Sequence, residues 1–532
     1  MQIEAGVDVM DRKGKVYLVG AGPGDPGLIT LRAVECIAEA DVVVYDRLAS
    51  RRLLGYARED AEMVYVGKAP DRHTLRQEEI NALLVDRASR GLVVTRLKGG
   101  DPFLFGRGGE EAEVLREEGI PFEVVPGVTS AIAVPAYAGI PLTHREHASS
   151  VALITGHEDP TKAESALNWA HLARGVDTLV FLMGMKNLPM IVERLIRHGR
   201  DPGTPVAVIG YGTLPEQRTV RGTLWDIVQA VEEAGLRPPA VIVVGDVVTL
   251  RDRLNWREEM PLFGQRVLVT RSRAQASALS ARIEALGGEA WEFPVIAIAE
   301  PEDYAALDGA IEEIGKYQWL VFTSANGVEA FFARLRSRGV DIRALQGIKV
   351  AAIGVATARA VEERGLLVEL VPEEFRAETL ARELLARAGV GERVLLARAD
   401  IARPVLAEML AAGGLEVDDV TVYRTVLDGS GREEVLKLLR EGRIQFITFT
   451  SSSTVKNFVK ALGGVEGLTA GEVADLVAAS GAQVACIGPI TAATAREMGL
   501  SVNIVAEEYT IEGLIGAIMG RLRGTPEEEI SQ

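Results

Sequence analysis

The sequence predicts an α/β protein made of two successive two-lobed parts. Three observations predict it. Short apolar β-branched runs alternate with helical stretches along most of the chain. Glycine-rich loops follow the strands of the first half, at the strand ends where open α/β sheets bind ligands. The second half contains a weak internal repeat, each copy again alternating strand and helix. The 532 residues suffice for three or four ordinary domains.

Composition narrows the function. A net charge of −17, from 58 basic and 75 acidic residues, argues against a nucleic-acid partner, which needs a basic face. It leaves room for an anionic small substrate held by local arginines, with Arg47, Arg107 and Arg145 as candidates. Cys36 and Cys486 are the only cysteines, too few for a disulfide framework or a cysteine zinc site, and both read as small buried residues. The first fifteen residues have no apolar signal-peptide core, and no apolar run matches a membrane span, so a cytoplasmic location is expected.

In chain order, the strand Lys15–Val19 runs into Gly20-Ala-Gly-Pro-Gly-Asp-Pro-Gly27, and Leu28–Ala40 reads as a helix capped by Thr30. The loop is similar to a dinucleotide fingerprint. Its spacing is G-x-G-x-G, however, Asp25 stands where the third fingerprint glycine belongs, and Pro23 lacks a backbone donor for a pyrophosphate. A nicotinamide reading is therefore disfavoured but open. The strand Asp41–Tyr45 ends at Asp46, and Lys68 follows the strand Met63–Gly67. Two such strand-end groups can form an acid–base pair, although solvation or capping is the commoner fate of each.

The stretch Leu97–Glu110 follows Val93-Val94-Thr95 and precedes a helical pattern over Glu111–Glu118. Its glycines let the backbone approach a partner closely, Pro102 stiffens the turn, and Asp101 sits at the tip. Val124–Ser130 is another strand with a small-residue loop, and Ala131–Tyr137 is rich in small residues. Ile140–Arg145 crosses into a second α/β unit that starts at Val151. His144, His147 and His157 are not at ligand spacing on one helix face, so no metal site is expected. Thr178–Gly184 is a strand ending at Met183, a residue type usually found in cores. Val206–Ile209 leads into Gly210-Tyr-Gly-Thr213, Gln217–Leu224 alternates like an antiparallel strand, and Pro239–Gly245 is the last strand of this half. The charged stretch Arg251–Gly264 holds the linker, placed at 256–263.

With these motifs in view, residues 14–255 closely resemble the uroporphyrinogen-III C-methyltransferases. The match covers Val19-Gly-Ala-Gly-Pro-Gly-Asp-Pro-Gly-Leu-Ile-Thr30, Tyr45-Asp-Arg-Leu48, Gly67-Lys68, the loop Gly99–Glu111, Pro126-Gly-Val-Thr-Ser130 and Gly139-Ile-Pro-Leu-Thr-His144. The resemblance implies two α/β lobes with S-adenosyl-L-methionine between them as cosubstrate, no metal, and a homodimer. It places cofactor contacts on Pro23, Gly99, Gly100, Asp101, Leu104, Thr129, Ser130, Met183, Gly212 and Ala240. It makes Asp46 the proton acceptor and Lys68 the proton donor. The chemistry suits these residues. A sulfonium methyl is already electrophilic, so the site must mainly align it with a pyrrole carbon, an effect worth up to roughly 7–11 kcal/mol. An aspartate that takes the pyrrole N–H proton strengthens the carbon nucleophile.

In the second half, Arg266–Arg271 mirrors Arg393–Arg398, Leu286-Gly-Gly mirrors Ala412-Gly-Gly, Phe322-Thr-Ser mirrors Phe449-Thr-Ser, and Ala352–Ala358 mirrors Cys486–Ala492. Hydroxyl residues recur at strand ends: Thr323, Ser324, Thr357, Ser451, Ser452, Ser453 and Thr491. Most are expected to cap helices, and the N–H groups beside them would receive carboxylates. That makes Thr323, Ser324, Ser451 and Ser453 substrate-binding candidates. No histidine lies beyond residue 198, so Ser-His or Cys-His nucleophilic catalysis is not expected.

This half resembles uroporphyrinogen-III synthase, through Phe-Thr-Ser, Ile-Gly-x-x-Thr-Ala, Val422-Tyr-Arg-Thr425, Phe449-Thr-Ser-Ser-Ser453 and Ile487-Gly-Pro-Ile-Thr-Ala492. The resemblance implies two lobes over 264–523, joined by a two-stranded ladder of Val295–Ala299 and Val420–Val426, with the lobe nearer the linker completed by the C-terminal segment. It puts Tyr423 at the loss of the substrate hydroxyl and Thr357 and Thr491 in the cleft. The acidic tail 524–532 is expected to be disordered. Together the two resemblances imply a bifunctional enzyme. It would cyclise hydroxymethylbilane to uroporphyrinogen III and methylate that product at C-2 and C-7 to precorrin-2, toward siroheme or cobalamin. Two other classes stay open: a nicotinamide-dependent dehydrogenase, and a methyltransferase whose second half binds tetrapyrrole without turnover.

Overall fold

The computed structural model describes residues 14–67, 76–157, 167–270, 273–464 and 467–524. Lys68 and the expected tail beyond 524 lie outside the described residues. The chain divides into two compact units. One runs to Arg266 and takes in Arg282–Glu289; the other comprises Val267–Ala281 and the chain from Ala290 onward.

The first unit begins with five parallel strands: β1 (Lys15–Gly20), β2 (Val42–Tyr45), β3 (Glu62–Tyr65), β4 (Val93–Lys98) and β5 (Phe122–Val125). Their order is β3-β2-β4-β1-β5, so the central strands β1 and β4 end side by side. Val16, Leu18 and Val19 of β1 and Val42, Val43 and Val44 of β2 are buried, as runs of β-branched and aliphatic residues in a covered parallel sheet must be. Thr30 caps the helix Leu31–Glu39, its Oγ1 accepting the N–H of Ala33. The expected helix therefore starts three residues late. Asp25 instead closes a short 3-10 turn over Pro26–Leu28 through the N–H of Gly27.

The second sheet is mixed: β6 (Val151–Thr155), β7 (Thr178–Leu182), β8 (Pro205–Gly210), β9 (Arg218–Thr223) and β10 (Ala240–Val244), in the order β6-β7-β10-β8-β9. The alternation over 217–224 is an antiparallel strand, as expected, paired with β8. β10 runs antiparallel to both β7 and β8, which brings its first residue, Ala240, to the edge where β7 and β8 end. The expected linker is packed onto this unit at its start. Trp256 donates its indole N–H to the carbonyl of Ala136, and Glu258 pairs with Arg251 and accepts from Gln217 and Thr219.

The second unit carries two further sheets. One, in the order β12-β11-β18-β19-β20, is built from β11 (Arg266–Val269), β12 (Glu289–Glu292), β18 (Phe446–Phe449), β19 (Gln483–Cys486) and β20 (Val502–Val505). The other, in the order β13-β17-β16-β14-β15, is built from β13 (Ile296–Ala299), β14 (Trp319–Phe322), β15 (Lys349–Ala352), β16 (Arg393–Ala399) and β17 (Glu416–Leu427). The lobe nearer the linker thus takes three strands from the C-terminal stretch. Strands β12-β11-β18-β19 and β17-β16-β14-β15 stand in equivalent order. Each pair of mirrored strand motifs falls on equivalent strands, although the chain visits them in a different sequence.

The ladder between the lobes is shorter than expected. β17 first runs parallel to β16 as far as Tyr423, opposite Ala399, with a register shift after Arg398. Only Arg424–Leu427 then pair, antiparallel, with Ile296–Ala299. Residues 420–423 of the expected ladder therefore belong to a lobe sheet, because β16 continues far enough to claim them. Among the described residues, no helix is long and apolar enough to cross a membrane.

Candidate functional site

In the first unit, the loops after β1, β4 and β5 converge. Gly22 and Gly100 exchange backbone hydrogen bonds, 3.2 and 2.7 Å long. A Cβ on Gly20 would stand 2.4 Å from the Gly127 Cα, and one on Gly127 would stand 2.3 Å from the Gly100 carbonyl oxygen. These loops can meet only as glycines. Asp101 locks them. Its Oδ1 accepts the N–H groups of Phe103 and Leu104 at 2.8 and 2.9 Å, and its Oδ2 accepts that of Gly127 at 2.9 Å. The carboxylate is thus engaged by the protein itself. Gly100 lies at φ +70°, and its Cα faces Thr129 and Ser130 with no clash for a Cβ, so backbone conformation rather than space calls for glycine there. Thr129 caps the helix Ser130–Tyr137. Pro23, Gly99, Leu104, Thr129 and Ser130 are half-buried.

The edge of the second sheet supplies Met183, Gly212 and Ala240, at the ends of β7 and β8 and the start of β10. That edge touches the first lobe. A Cβ on Gly212 would run into the Val134 side chain, and the Asp25 N–H donates to Thr213 Oγ1 at 3.2 Å. Met183 is not core, contrary to the usual fate of a strand Met: it is 53 % exposed at φ +57°. All five non-glycine residues at positive φ among the described residues flank this site: Phe105, Arg107, Met183, Tyr211 and Thr213. Such conformations cost energy and concentrate at ligand clamps.

Asp46, at the end of β2, accepts the Leu48 N–H on Oδ1 at 3.0 Å, while Arg96 of β4 reaches its Oδ2 at 3.4 Å. Leu48 in turn packs on Gly99, where a Cβ would lie 2.5 Å away, so the Asp46 loop adjoins the glycine loop. Behind it lies a buried charge cluster. Glu111 is fully buried, and its Oε1 accepts from Lys98 at 2.7 Å, Gln77 at 3.0 Å and Arg96 at 3.4 Å. Burial, and then the neighbouring Arg96, pushes the Lys98 ammonium below its ordinary value. Arg107 pairs with Glu110 at 2.6 Å on the surface.

Two of the histidines meet on a turn. His144, Glu146 and His147 bring ligand atoms within 4.8 Å of one another on a turn, a grouping that helix-face spacing does not reveal. The Glu146 N–H already donates to His144 Nδ1 at 3.2 Å.

In the second unit, Tyr423 is buried in a core of β14, β16 and neighbouring helices, and its hydroxyl stands 3.0 Å from Ser324 Oγ. Ser324 caps the helix Ala325–Ser337 through the N–H of Gly327, and half-buried Thr323 precedes it. Ser451 caps the helix Ser452–Gly463 and hydrogen-bonds Ser453 at 2.9 Å. The expectation that most of these hydroxyls cap helices fails beyond Ser324 and Ser451. Gly354 and Gly488 hold the cap positions of the helices Val355–Glu362 and Pro489–Glu497, which leaves Thr357 and Thr491 buried one turn inside.

The tetrapyrrole (corrin/porphyrin) methylases family model matches residues 15–228, and the uroporphyrinogen-III synthase HemD model matches residues 277–516. A porphyrin biosynthesis protein HemD of Ruminiclostridium josui is 40% identical over 508 residues, 95% of this chain and 98% of its own length. This chain belongs to the same family. The chain is also similar to an S-adenosyl-L-methionine-dependent uroporphyrinogen III methyltransferase of Methanosarcina barkeri. The two are 58% identical over 241 residues, 45% of this chain and 94% of the relative. A crystal structure of uroporphyrin-III C-methyl transferase from Thermus thermophilus complexed with S-adenyl homocysteine is 43% identical, covering 44% of this chain and 100% of that one at a TM-score of 0.39.

Several residues of the methylase unit escaped sequence reasoning. Arg96 and Lys98 are charges inside an otherwise apolar strand, which is itself a signal, but their partners Asp46 and Glu111 are distant in sequence or sit on a helix that reads as ordinary. Tyr211 and Thr213 carry no signal beyond their place beside Gly212.

Proposed function

We propose that this chain is a bifunctional tetrapyrrole enzyme whose two units perform consecutive steps. The second unit closes hydroxymethylbilane to uroporphyrinogen III with inversion of the last ring. The first unit methylates that product at C-2 and C-7, using S-adenosyl-L-methionine, to give precorrin-2 for siroheme or cobalamin synthesis. The observation that carries this reading is the family likeness running the length of the chain, which includes both halves.

The residues of the first unit fit the methyl donor. Backbone-lined glycine loops and an exposed methionine suit a nucleoside and an amino acid, neither of which needs a large charged cage. Pro23, Gly99, Gly100, Asp101, Leu104, Thr129, Ser130, Met183, Gly212 and Ala240 would hold it, Asp101 by fixing the loop backbone. When bound, it supplies an activated methyl group. The loops align the acceptor carbon and exclude water. Asp46, steadied by Arg96 and the Leu48 N–H, accepts the pyrrole N–H proton, and Lys68 serves as proton donor. In the second unit the Tyr423 phenol, oriented by Ser324, donates to the departing hydroxyl. Thr323, Thr357, Ser451, Ser453 and Thr491 line the bilane's path. The catalytic units span 14–255 and 264–523, and the chain works as a cytoplasmic homodimer joined through the methyltransferase unit.

The division of labour is tested by two variants of the full chain. Asp46→Ala lowers methylation of supplied uroporphyrinogen III by about 100-fold or more, the usual worth of a general base, and spares cyclisation. Tyr423→Phe does the reverse. Equal loss of both activities in either variant contradicts the assignment.

A further inference from the structure

The two lobes of the second unit repeat one more feature. β15 leads through Gly354 into the helix Val355–Glu362; the chain then returns beside β15 at Leu370, which bridges Ala351, and turns at Phe375. In the other lobe β19 leads through Gly488 into the helix Pro489–Glu497, returns as β20, and turns at Tyr509. The two returns read Val371-Pro-Glu-Glu-Phe-Arg-Ala-Glu-Thr-Leu380 and Val505-Ala-Glu-Glu-Tyr-Thr-Ile-Glu-Gly-Leu514. The backbone agrees: Arg376 N–H donates to the Glu374 carbonyl at 2.7 Å and Thr510 N–H to the Glu508 carbonyl at 2.8 Å. Each aromatic is thus the centre of the same three-residue turn.

Both rings are open to solvent, Phe375 at 60 % and Tyr509 at 66 % exposure. Each lies over the start of its helix. A Cβ on Gly354 would be 3.6 Å from the Phe375 ring, and one on Gly488 would be 3.0 Å from that of Tyr509. The neighbouring helix residues Val355 and Ile490 are exposed apolar groups too. Single exposed apolar residues are ordinary; an exposed aromatic at the centre of the same turn in both lobes is not scatter, although Val355 and Ile490 stand one position out of register. Neither helix has a side-chain cap, so its first N–H groups are unclaimed by one. Below them Thr357 and Thr491 are 5 % exposed, and neither hydroxyl has a hydrogen-bond partner among the described residues. A hydroxyl with no protein partner on an otherwise covered side chain is left for a ligand or water to bond.

We propose that Phe375 and Tyr509 are paired clamps for one linear tetrapyrrole, each stacking on the face of a pyrrole toward one end of the bilane. The helix start and threonine beneath each ring receive that pyrrole's carboxylate. A protein with two copies of one half-site matches a substrate built of repeated acid-bearing pyrroles. Holding both ends keeps the first and last rings within reach while the last one inverts. The proposal rests on the synthase reading of this unit.

The test uses the full chain with Phe375→Ala, Tyr509→Ala, the double variant, and the ring-preserving Phe375→Tyr and Tyr509→Phe. KM and kcat are measured for hydroxymethylbilane, with methylation of supplied uroporphyrinogen III as the folding control. Each alanine variant is expected to raise KM about 3- to 10-fold, the range of an aromatic stacking contact, with a smaller change in kcat. The double variant approaches the product of the two factors, and the ring-preserving variants stay near the parent. If alanine lowers the melting temperature, leucine variants carry the same comparison. Unchanged KM in either single variant, or equal loss in the ring-preserving variants, overturns the clamp. If the parent chain itself fails to convert the bilane, the synthase reading falls first; if the parent converts it and the alanine variants match, the clamp alone falls.

Discussion

Asp101 is the residue on which the meeting of the glycine loops depends, and its role is mechanical. One carboxylate accepts three backbone N–H groups from two loops, Phe103 and Leu104 on one side and Gly127 on the other. Removing it frees those donors and lets the glycine loops separate. Asp101→Ala is therefore expected to destabilise the first unit by at least about 1.5–3 kcal/mol, the worth of one charge-assisted hydrogen bond. Methylation should fall more than that loss of folded protein explains. Chemical denaturation followed beside activity checks it; an unchanged midpoint with unchanged activity contradicts it. Tyr423 differs in kind. It is packed in a core, as a strand tyrosine usually is, and its hydroxyl meets Ser324.

At the scale of elements, the first sheet is fastened across β1 and β5 by Glu123, which meets Lys15 at 2.7 Å and Arg32 at 3.0 Å. Arg32, and then Lys15, holds the Glu123 carboxyl down at about 2. Because the folded value is depressed, the contribution is fully present above the ordinary carboxylate value and disappears as pH falls toward about 2. Glu123→Gln is expected to be less stable than the parent at pH 7, by about 0.2–1 kcal/mol per partly exposed pair, with the gap closing below pH 4.5 and shrinking in high salt. A gap that stays constant from pH 7 to 3 contradicts the assignment. Local chemistry made many elements readable. Thr30, Ser324 and Ser451 cap as hydroxyl residues before helices should, and the glycine loops sit where strands end. Thr357 and Thr491, in a group of hydroxyls most of which are expected to cap, do not, because the glycine three residues earlier takes that position.

At the scale of the whole molecule, strand order and direction were the least legible features. Nothing in Ala240–Val244 announces that this strand runs antiparallel between β7 and β8, yet that reversal brings Ala240 to the site edge. The Asp46–Arg96 contact is likewise made by folding, since residues 50 positions apart meet only when β2 lies beside β4. The internal repeat was legible in motifs, and the two sheets of the second unit bear it out strand for strand. The permuted path through those strands was not, because pattern matching ignores connectivity. The most direct measurement supplies the full chain with hydroxymethylbilane, with and without S-adenosyl-L-methionine, separates the product isomers by chromatography and weighs them. Uroporphyrinogen III without the methyl donor, and a product heavier by two methyl groups with it, is the result expected. A mass unchanged by the donor, or failure to form the inverted isomer in either reaction, contradicts the account.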